Sequence, residues 1–321
     1  MATILVTHGV PLEGFSALSA HHTLLVPAPF TAFSRDELLQ MIPDVSAIVA
    51  CGKIDSTLIR AAGKLQIIAN YGSGYDAVDV VAAASCGIPV TNIPEITAHA
   101  TAELAVGLML AVSRRIGEMN LRVRAEAEQP LFAMGCEMGH TLQGKQLAII
   151  GMGRIGHRVA HLAEAFGMQV RGLRRHDVPA GVPLHQAVCS LVSGADMVSL
   201  HCPLNDETQH LLNAQAIACM KHGAIVINTS RGTVIDCDAL ADALATGHLG
   251  GAGLDVYPNE PEIPQRLKQL RNVVLTPHVG TNTTETRFAM AQACANQILD
   301  ALHGVIPKNV VNGVQQLRRM P

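Results

Sequence analysis

The stretch Leu147-Ala-Ile-Ile-Gly151-Met-Gly153-Arg154-Ile155-Gly156 decides the fold: an apolar run of strand length passes straight into G-x-G-x-x-G. After it, Ile155, Val159, Leu162 and Phe166 recur at helical spacing and mark the expected buried face of a helix. The motif alone is a weak signal, because glycine-bearing loops match it by chance. With a strand before it, a helix after it and a second apolar strand at Val170 to Leu173, it reads as the phosphate turn of a dinucleotide site. Glycines permit the tight turn and the close approach of backbone to pyrophosphate, and the helix N-terminus offers unpaired N–H groups and the positive end of a dipole. Gly151, Gly153, Arg154, Ile155 and Gly156 are therefore candidate cofactor contacts.

About 20 residues past such glycines, the second strand normally ends in an acid that binds the adenosine ribose hydroxyls. Here that position holds Arg174, followed by Arg175. Two guanidiniums can grip a ribose 2′-phosphate by charge-assisted hydrogen bonds, which predicts NADPH as the preferred cofactor with NAD as the second choice. The competing reading is a solvated pair of surface arginines.

Outward from this loop, short apolar runs alternate with helix-length segments. One series comprises Thr3 to Val6, Leu24 to Val26, Ser46 to Ala50, Gln66 to Ala69 and Pro89 to Thr91. The other comprises Leu147 to Gly151, Val170 to Leu173, Met197 to Leu200, Ala224 to Asn228, Gly253 to Val256 and Val273 to Thr276. Such alternation predicts an α/β protein with two doubly wound parallel sheets. Ala98 to Arg115, rich in Ala and Leu, suits a helix bridging two domains. Near the end, Thr284 to Leu302 sets Phe288, Ala291, Ala295, Ile298 and Leu302 at helical spacing, a segment able to carry the chain back to the first domain.

Composition narrows the class. The 321 residues, 49% of them hydrophobic, suffice for two cores, and a net charge of -3 offers no general attraction for nucleic acid or an anionic membrane. The N-terminus lacks the pattern of a signal peptide, and the apolar stretch Leu104 to Val112 is too short to span a bilayer. Eight cysteines stand singly, which predicts reduced thiols and a cytoplasmic location. His157 and His161 share the i, i+4 spacing of a metal-ligand pair but lack the glutamate of a zinc protease motif, so no metal site is predicted and both read as surface histidines.

Three segments at the C-terminal ends of expected strands carry the chemistry: Ile227-Asn-Thr-Ser-Arg231-Gly, Gly253-Leu-Asp255-Val-Tyr-Pro-Asn-Glu260-Pro and Leu275-Thr-Pro-His278-Val-Gly280. Ligands of open parallel sheets bind outside those ends, so these segments supply a carboxylate anchor, an orienting acid and a proton donor. Joined by Asn70-Tyr-Gly-Ser-Gly-Tyr-Asp76, Val90-Thr-Asn-Ile-Pro94, His201-Cys-Pro-Leu204 and Met220-Lys-His-Gly223, the sequence closely resembles the D-isomer-specific 2-hydroxyacid dehydrogenases, and among them the glyoxylate and hydroxypyruvate reductases.

The resemblance spans nearly the whole chain. It implies a flavodoxin-like substrate domain from 1–97 and 285–321, a Rossmann cofactor domain at 98–284, and an active site in the cleft. It makes His278 the general acid, Glu260 the residue that holds His278 and favours its protonated form, and Arg231 the anchor of the substrate carboxylate that also polarises the keto group. Asp255, Thr229, Cys202, Pro203 and Gly280 match positions around the cofactor, and Thr101 one that touches the nicotinamide. The loop holding Ser73 and Gly74 matches one whose N–H groups bind the substrate carboxylate, with Lys53 a further candidate. A homodimer is implied through about Asn120 to His140.

The sequence departs from the family pattern at Phe132 to His140, where a glycine-tryptophan segment is common, and at Asp236-Cys237, where Asp-Glu is common. Rival activities within the family are D-lactate, 2-ketogluconate and phosphoglycerate dehydrogenation. A dinucleotide-binding corepressor of the same fold is the non-enzymatic alternative, disfavoured by the compact length and the lack of terminal tails.

Overall fold

The computed structural model describes residues 1–125 and 134–318. Its chain divides into two compact units, Met1–Thr97 with Thr281–Pro321, and Ala98–Gly280. The return segment thus starts at Thr281 rather than 285, because the loop after His278 leads directly into the helix Thr284–Leu302, capped by the Thr283 side chain.

In the first unit β1 (Thr3–Val6), β2 (Thr23–Leu25), β3 (Ala47–Ala50), β4 (Ile67–Asn70) and β5 (Val90–Thr91) form a parallel sheet in the order β2-β1-β3-β4-β5. Alternate residues feed two separate cores, Leu5, Ile48, Ile68 and Val90 on one face and Ile4, Val49, Ile67 and Ala69 on the other. Burial on both faces is why these strands read as unbroken apolar runs.

The returning helix Thr284–Leu302 closes the second face through Met290, Ala291, Cys294, Ala295 and Ile298. Phe288, expected on that face, is exposed. The helix passes so close to Gly14 that a Cβ there would lie 2.6 Å from both Ala291 Cβ and the Phe288 carbonyl oxygen, so small side chains form the seam. Polar bonds reinforce the docking. Buried Gln297 accepts from the Thr91 hydroxyl at 2.7 Å and donates to the Asn92 carbonyl at 3.0 Å.

The second unit holds β6 (Gln146–Ile150), β7 (Gln169–Leu173), β8 (Met197–Leu200), β9 (Ala224–Asn228), β10 (Leu249–Leu254) and β11 (Val273–Leu275), all parallel, in the order β11-β10-β9-β8-β6-β7. The chain winds from β6 outward to β7, then crosses back to β8, so the β6/β8 seam is the switch point where ligands of such sheets bind. β7 is an edge strand of this sheet.

The bridging helix runs Pro94–Ser113, four residues earlier at its start than the expected Ala98, with Pro94 in the first turn where a missing N–H costs nothing. The helix is long and apolar enough to cross a membrane by length and composition. Ala102, Ala105, Leu108 and Met109 are nevertheless buried against Leu147, Ile149, Ile225 and Ile227, which makes it a core helix of this unit. On the helix Arg154–Ala165, Val159 is buried as expected but Phe166 is exposed, because the helix ends at Ala165 and Met168 enters the core instead.

Replacing Gln297 by Leu should leave the Thr91 hydroxyl and the Asn92 carbonyl unpaired inside the first unit, at a cost of about 2 kcal/mol. Urea unfolding checks this, and an unchanged midpoint would show that the two groups find other partners.

Candidate active site

At the end of β6 the three glycines have different tasks. Gly151 has φ +97°, and a Cβ there would sit 2.5 Å from the Cys202 amide nitrogen. At Gly156 a Cβ would fall 2.3 Å from the Gly151 carbonyl oxygen. Protein packing alone therefore requires both. A Cβ on Gly153 would meet nothing within 4 Å, so its absence leaves open space beside the N-terminus of the helix Arg154–Ala165. The first intrahelical bond comes from His157 N to Gly153 O, so the Ile155 N–H lies ahead of the helical ladder. Arg154 is exposed, whereas the Ile155 side chain packs against the core, so its contribution to a ligand would be through its backbone. This cradle fits a dinucleotide pyrophosphate.

Beside it, the Gly151 and Met152 amides donate to the Leu173 carbonyl, so Arg174 emerges next to the glycine loop. The expected arginine pair is split. Arg174 Nη2 lies 2.7 Å from His157 Nε2, while Arg175 makes a two-pronged ion pair with Glu207 at 2.8 and 2.9 Å. His157 and His161 are both exposed, and no cluster of metal-binding side chains occurs among the described residues.

Across the switch point, buried Cys202 has its thiol pushed up to about 12 by burial and serves as an inert wall, with Pro203 exposed after it. Burial holds His201 well below the usual histidine range. Its ring bridges Ser199 Oγ at 2.8 Å and Thr229 Oγ1 at 3.4 Å, tying the end of β8 to the loop after β9.

That loop is shaped by Asn228. Its side chain accepts from the Ser230 amide and hydroxyl and donates to the Arg231 carbonyl at 2.9 Å. At Gly232 a Cβ would lie 2.0 Å from the Tyr257 carbonyl carbon, so only glycine lets the Arg231 loop pack on the loop after β10. There Glu260 accepts from the Tyr257 amide at 3.0 Å through one oxygen and contacts His278 Nδ1 at 2.6 Å through the other. Burial opposes the charge on Glu260, but the bond and charge of His278, the Tyr257 amide and the nearby Arg231 outweigh it and hold the carboxyl below its usual value.

His278 itself is set by Asp255, which is almost fully buried. The Asp255 carboxylate accepts from Thr276 Oγ1 at 2.6 Å, Val279 N at 2.8 Å and Gly280 N at 2.9 Å, while its carbonyl takes the His278 amide. These bonds hold His278 at φ +53°, a left-handed conformation that a non-glycine residue adopts only when its surroundings impose it. Thr101 and Asp255 both line Gly280: a Cβ there would be 3.5 and 3.2 Å from their oxygens. Asp255 was expected beside the cofactor. Its visible work is to build the loop that presents His278.

The candidate substrate residues belong to the first unit. Asn70 Nδ2 donates to the Gly72 and Gly74 carbonyls, and Asn92 Nδ2 to that of Ser73. With its carbonyls claimed, the loop keeps the amides of Ser73 and Gly74 without acceptors among the described residues, the arrangement that suits a carboxylate. Lys53 is exposed and lines a cavity of about 400 Å³ with Thr7, His8, Arg35 and Gly52. The cavity sits at the β1/β3 seam, the switch point of this unit.

The model of the D-isomer specific 2-hydroxyacid dehydrogenase NAD binding domain matches residues 106–280. The chain belongs to the D-isomer-specific 2-hydroxyacid dehydrogenases. A glyoxylate reductase of Thermococcus litoralis is 39% identical over 96% of this chain and 96% of its own, and one from Korarchaeum cryptofilum is 38% identical over 96% and 95%. An NADPH-dependent glyoxylate/hydroxypyruvate reductase of Sinorhizobium meliloti, solved with NADP and malonate, superposes with a TM-score of 0.83 at 29% identity, covering 100% of this chain and 99% of that one. The dehydrogenase is thus of the glyoxylate reductase type, an NAD(P)-dependent oxidoreductase.

Asn228, Thr276, Tyr257 and His201 escaped the reading of functional residues, although each lies within a quoted segment. Their polar side chains at strand ends were the available signal. The unusual segment 132–140 and the proposed dimer stretch 120–140 fall partly outside the described residues. At the other departure, Asp236 caps the helix Cys237–Ala245 by accepting from Ala239 N.

Asp255→Asn keeps the shape but turns an NH₂ group toward amide or hydroxyl donors. Loss of about 2 kcal/mol of stability and a marked fall in kcat are expected. Chemical denaturation and steady-state rates measure both, and wild-type behaviour in both would show that the carboxylate does not organise the loop.

Proposed function

We propose that this dehydrogenase reduces small 2-keto acids of the glyoxylate and hydroxypyruvate kind to D-2-hydroxy acids, with NADPH preferred over NADH. The observation that carries the reaction is the joined Arg231, Glu260 and His278 cluster at the C-terminal ends of β9, β10 and β11. A bound nicotinamide would supply or accept the hydride. The chain's own residues do the rest. With Nδ1 committed to Glu260, the Nε2 of His278 is the nitrogen left to deliver a proton to the carbonyl oxygen, and the carboxylate of Glu260 supports the charged imidazole. Arg231 offers a planar fork to the substrate carboxylate and polarises the adjacent carbonyl; in the first unit, the amides of Ser73 and Gly74 and the charge of Lys53 are the candidate carboxylate binders.

Arg174 beside the glycine loop, in place of a ribose-binding acid, supports NADPH, as does the NADPH dependence of the Sinorhizobium meliloti relative. A cytoplasmic homodimer completes the proposal. Its supports are eight unpaired thiols and the exposed apolar residues Leu121, Val123, Met134 and Met138 along the proposed dimer stretch.

His278→Ala should lower kcat by roughly 10²- to 10⁴-fold while cofactor binding persists. Near-normal turnover in this variant would remove His278 from the reaction.

The substrate and cofactor reading is tested by kcat/KM for glyoxylate, hydroxypyruvate, pyruvate and 2-ketogluconate with each cofactor. Glyoxylate or hydroxypyruvate should lead the series, and NADPH should exceed NADH by roughly 30-fold, equivalent to about 2 kcal/mol. Arg174→Asp should reverse the cofactor order by repelling the phosphate and accepting from the free ribose hydroxyls. NADH equalling NADPH in the wild type would overturn the cofactor assignment, and a lead for pyruvate or 2-ketogluconate the substrate assignment.

A further inference from the structure

Metal spacing drew attention to His157, and no metal cluster includes it among the described residues. Its ring is nonetheless fully engaged. Nδ1 lies 2.7 Å from the Gly153 carbonyl oxygen, and Nε2 lies 2.7 Å from Arg174 Nη2. A carbonyl only accepts and a guanidinium only donates, so both contacts are met at once by the imidazole with its hydrogen on Nδ1 and its lone pair on Nε2. The histidine therefore spans from the second glycine of the phosphate turn to the arginine that replaces the ribose-binding acid.

Long arginine side chains lose rotamer freedom when they bind, and fixing one beforehand reduces that loss. Arg175 shows the alternative fate of an arginine at this strand end, since Glu207 draws it away in a bidentate pair. For Arg174 the neighbour is instead an uncharged acceptor on the first turn of the helix, which directs one N–H while leaving the remaining guanidinium donors for a ligand.

We propose that His157 is a positioning residue for the ribose 2′-phosphate: it holds the Arg174 guanidinium against the glycine turn, and through Arg174 it sets the preference for a 2′-phosphorylated dinucleotide. This rests on the NADPH reading above. It adds a residue that touches the arginine rather than the ligand.

The test uses 2′,5′-ADP and 5′-ADP as probes, with dissociation constants measured by calorimetry on the full-length wild type and on His157→Leu and His157→Gln. Wild type should favour 2′,5′-ADP. In His157→Leu this preference should fall about fivefold, the worth of one ordinary hydrogen bond, while the affinity for 5′-ADP stays within about twofold. His157→Gln carries a donor and an acceptor on one amide and should recover most of the loss. Retained preference in His157→Leu overturns the proposal and leaves the NADPH reading intact. Equal affinities in the wild type overturn both. Parallel weakening of both probes in His157→Leu, or no recovery in His157→Gln, also overturns the positioning role, because it marks a general disturbance of the turn.

Discussion

The end of β6 leaves no space for a side chain at Gly151, and the cofactor unit is arranged around that constraint. A Cβ would sit 2.5 Å from the Cys202 amide nitrogen, so the backbone leaving β6 and that leaving β8 run in contact at the switch point. Gly156 closes the same seam from the helix side. With those two approaches fixed, the N–H groups of the helix start and the free space at Gly153 are aimed by the sheet and need no further support. Arg174 follows from the same geometry, because the Gly151 and Met152 amides both use the Leu173 carbonyl and so place the end of β7 beside the turn.

The candidate active site rests on a second, longer chain of constraints. Asp255 buries a carboxylate, an expensive act that is offset only by donors supplied in fixed positions. Those donors are Thr276, Val279 and Gly280, so the charge and the loop define each other. The strained φ of His278 is the geometric result, and the Glu260 bond completes the orientation of its ring. Arg231 reaches this cluster because Asn228 shapes its loop and Gly232 admits the neighbouring backbone. The ends of β9, β10 and β11 thus converge through backbone packing at Asn228, Gly232 and Asp255.

How much of this was legible in the sequence follows from the range of each interaction. Strands buried on both faces announce themselves as apolar runs, and the eleven strands of the described residues were visible, the partly exposed edge strands β2 and β7 through their flanking elements, with ends shifted by a few residues. Glycines and the order of the Arg, Glu and His segments pointed to the unit type and the family, since both are local patterns. Partnerships were not legible. Nothing at Arg175 shows that Glu207, distant in sequence, will take its guanidinium, and nothing at Asp255 shows that its oxygens will be spent on a loop after β11. The misplacement of Phe288 has the same origin: helical spacing shows which residues share a face but not that the seam narrows at Gly14.

The split of the arginine pair ranks its members for phosphate recognition without discarding either. Arg175 and Glu207 are both solvent-exposed, and an exposed ion pair contributes little net stability because each end is nearly as well solvated apart. A dianionic phosphate with three acceptor oxygens can compete for such an arginine, but Glu207 must then be separated from it or tolerate a nearby like charge. Arg174 has no such opposition, since its neighbour His157 is an acceptor that carries no negative charge and leaves most guanidinium donors uncommitted. Under the proposed NADPH preference, the electrostatic cost of binding would fall on one arginine while the positional cost is already met at the other, so Arg174 would be the primary contact and Arg175 the auxiliary one.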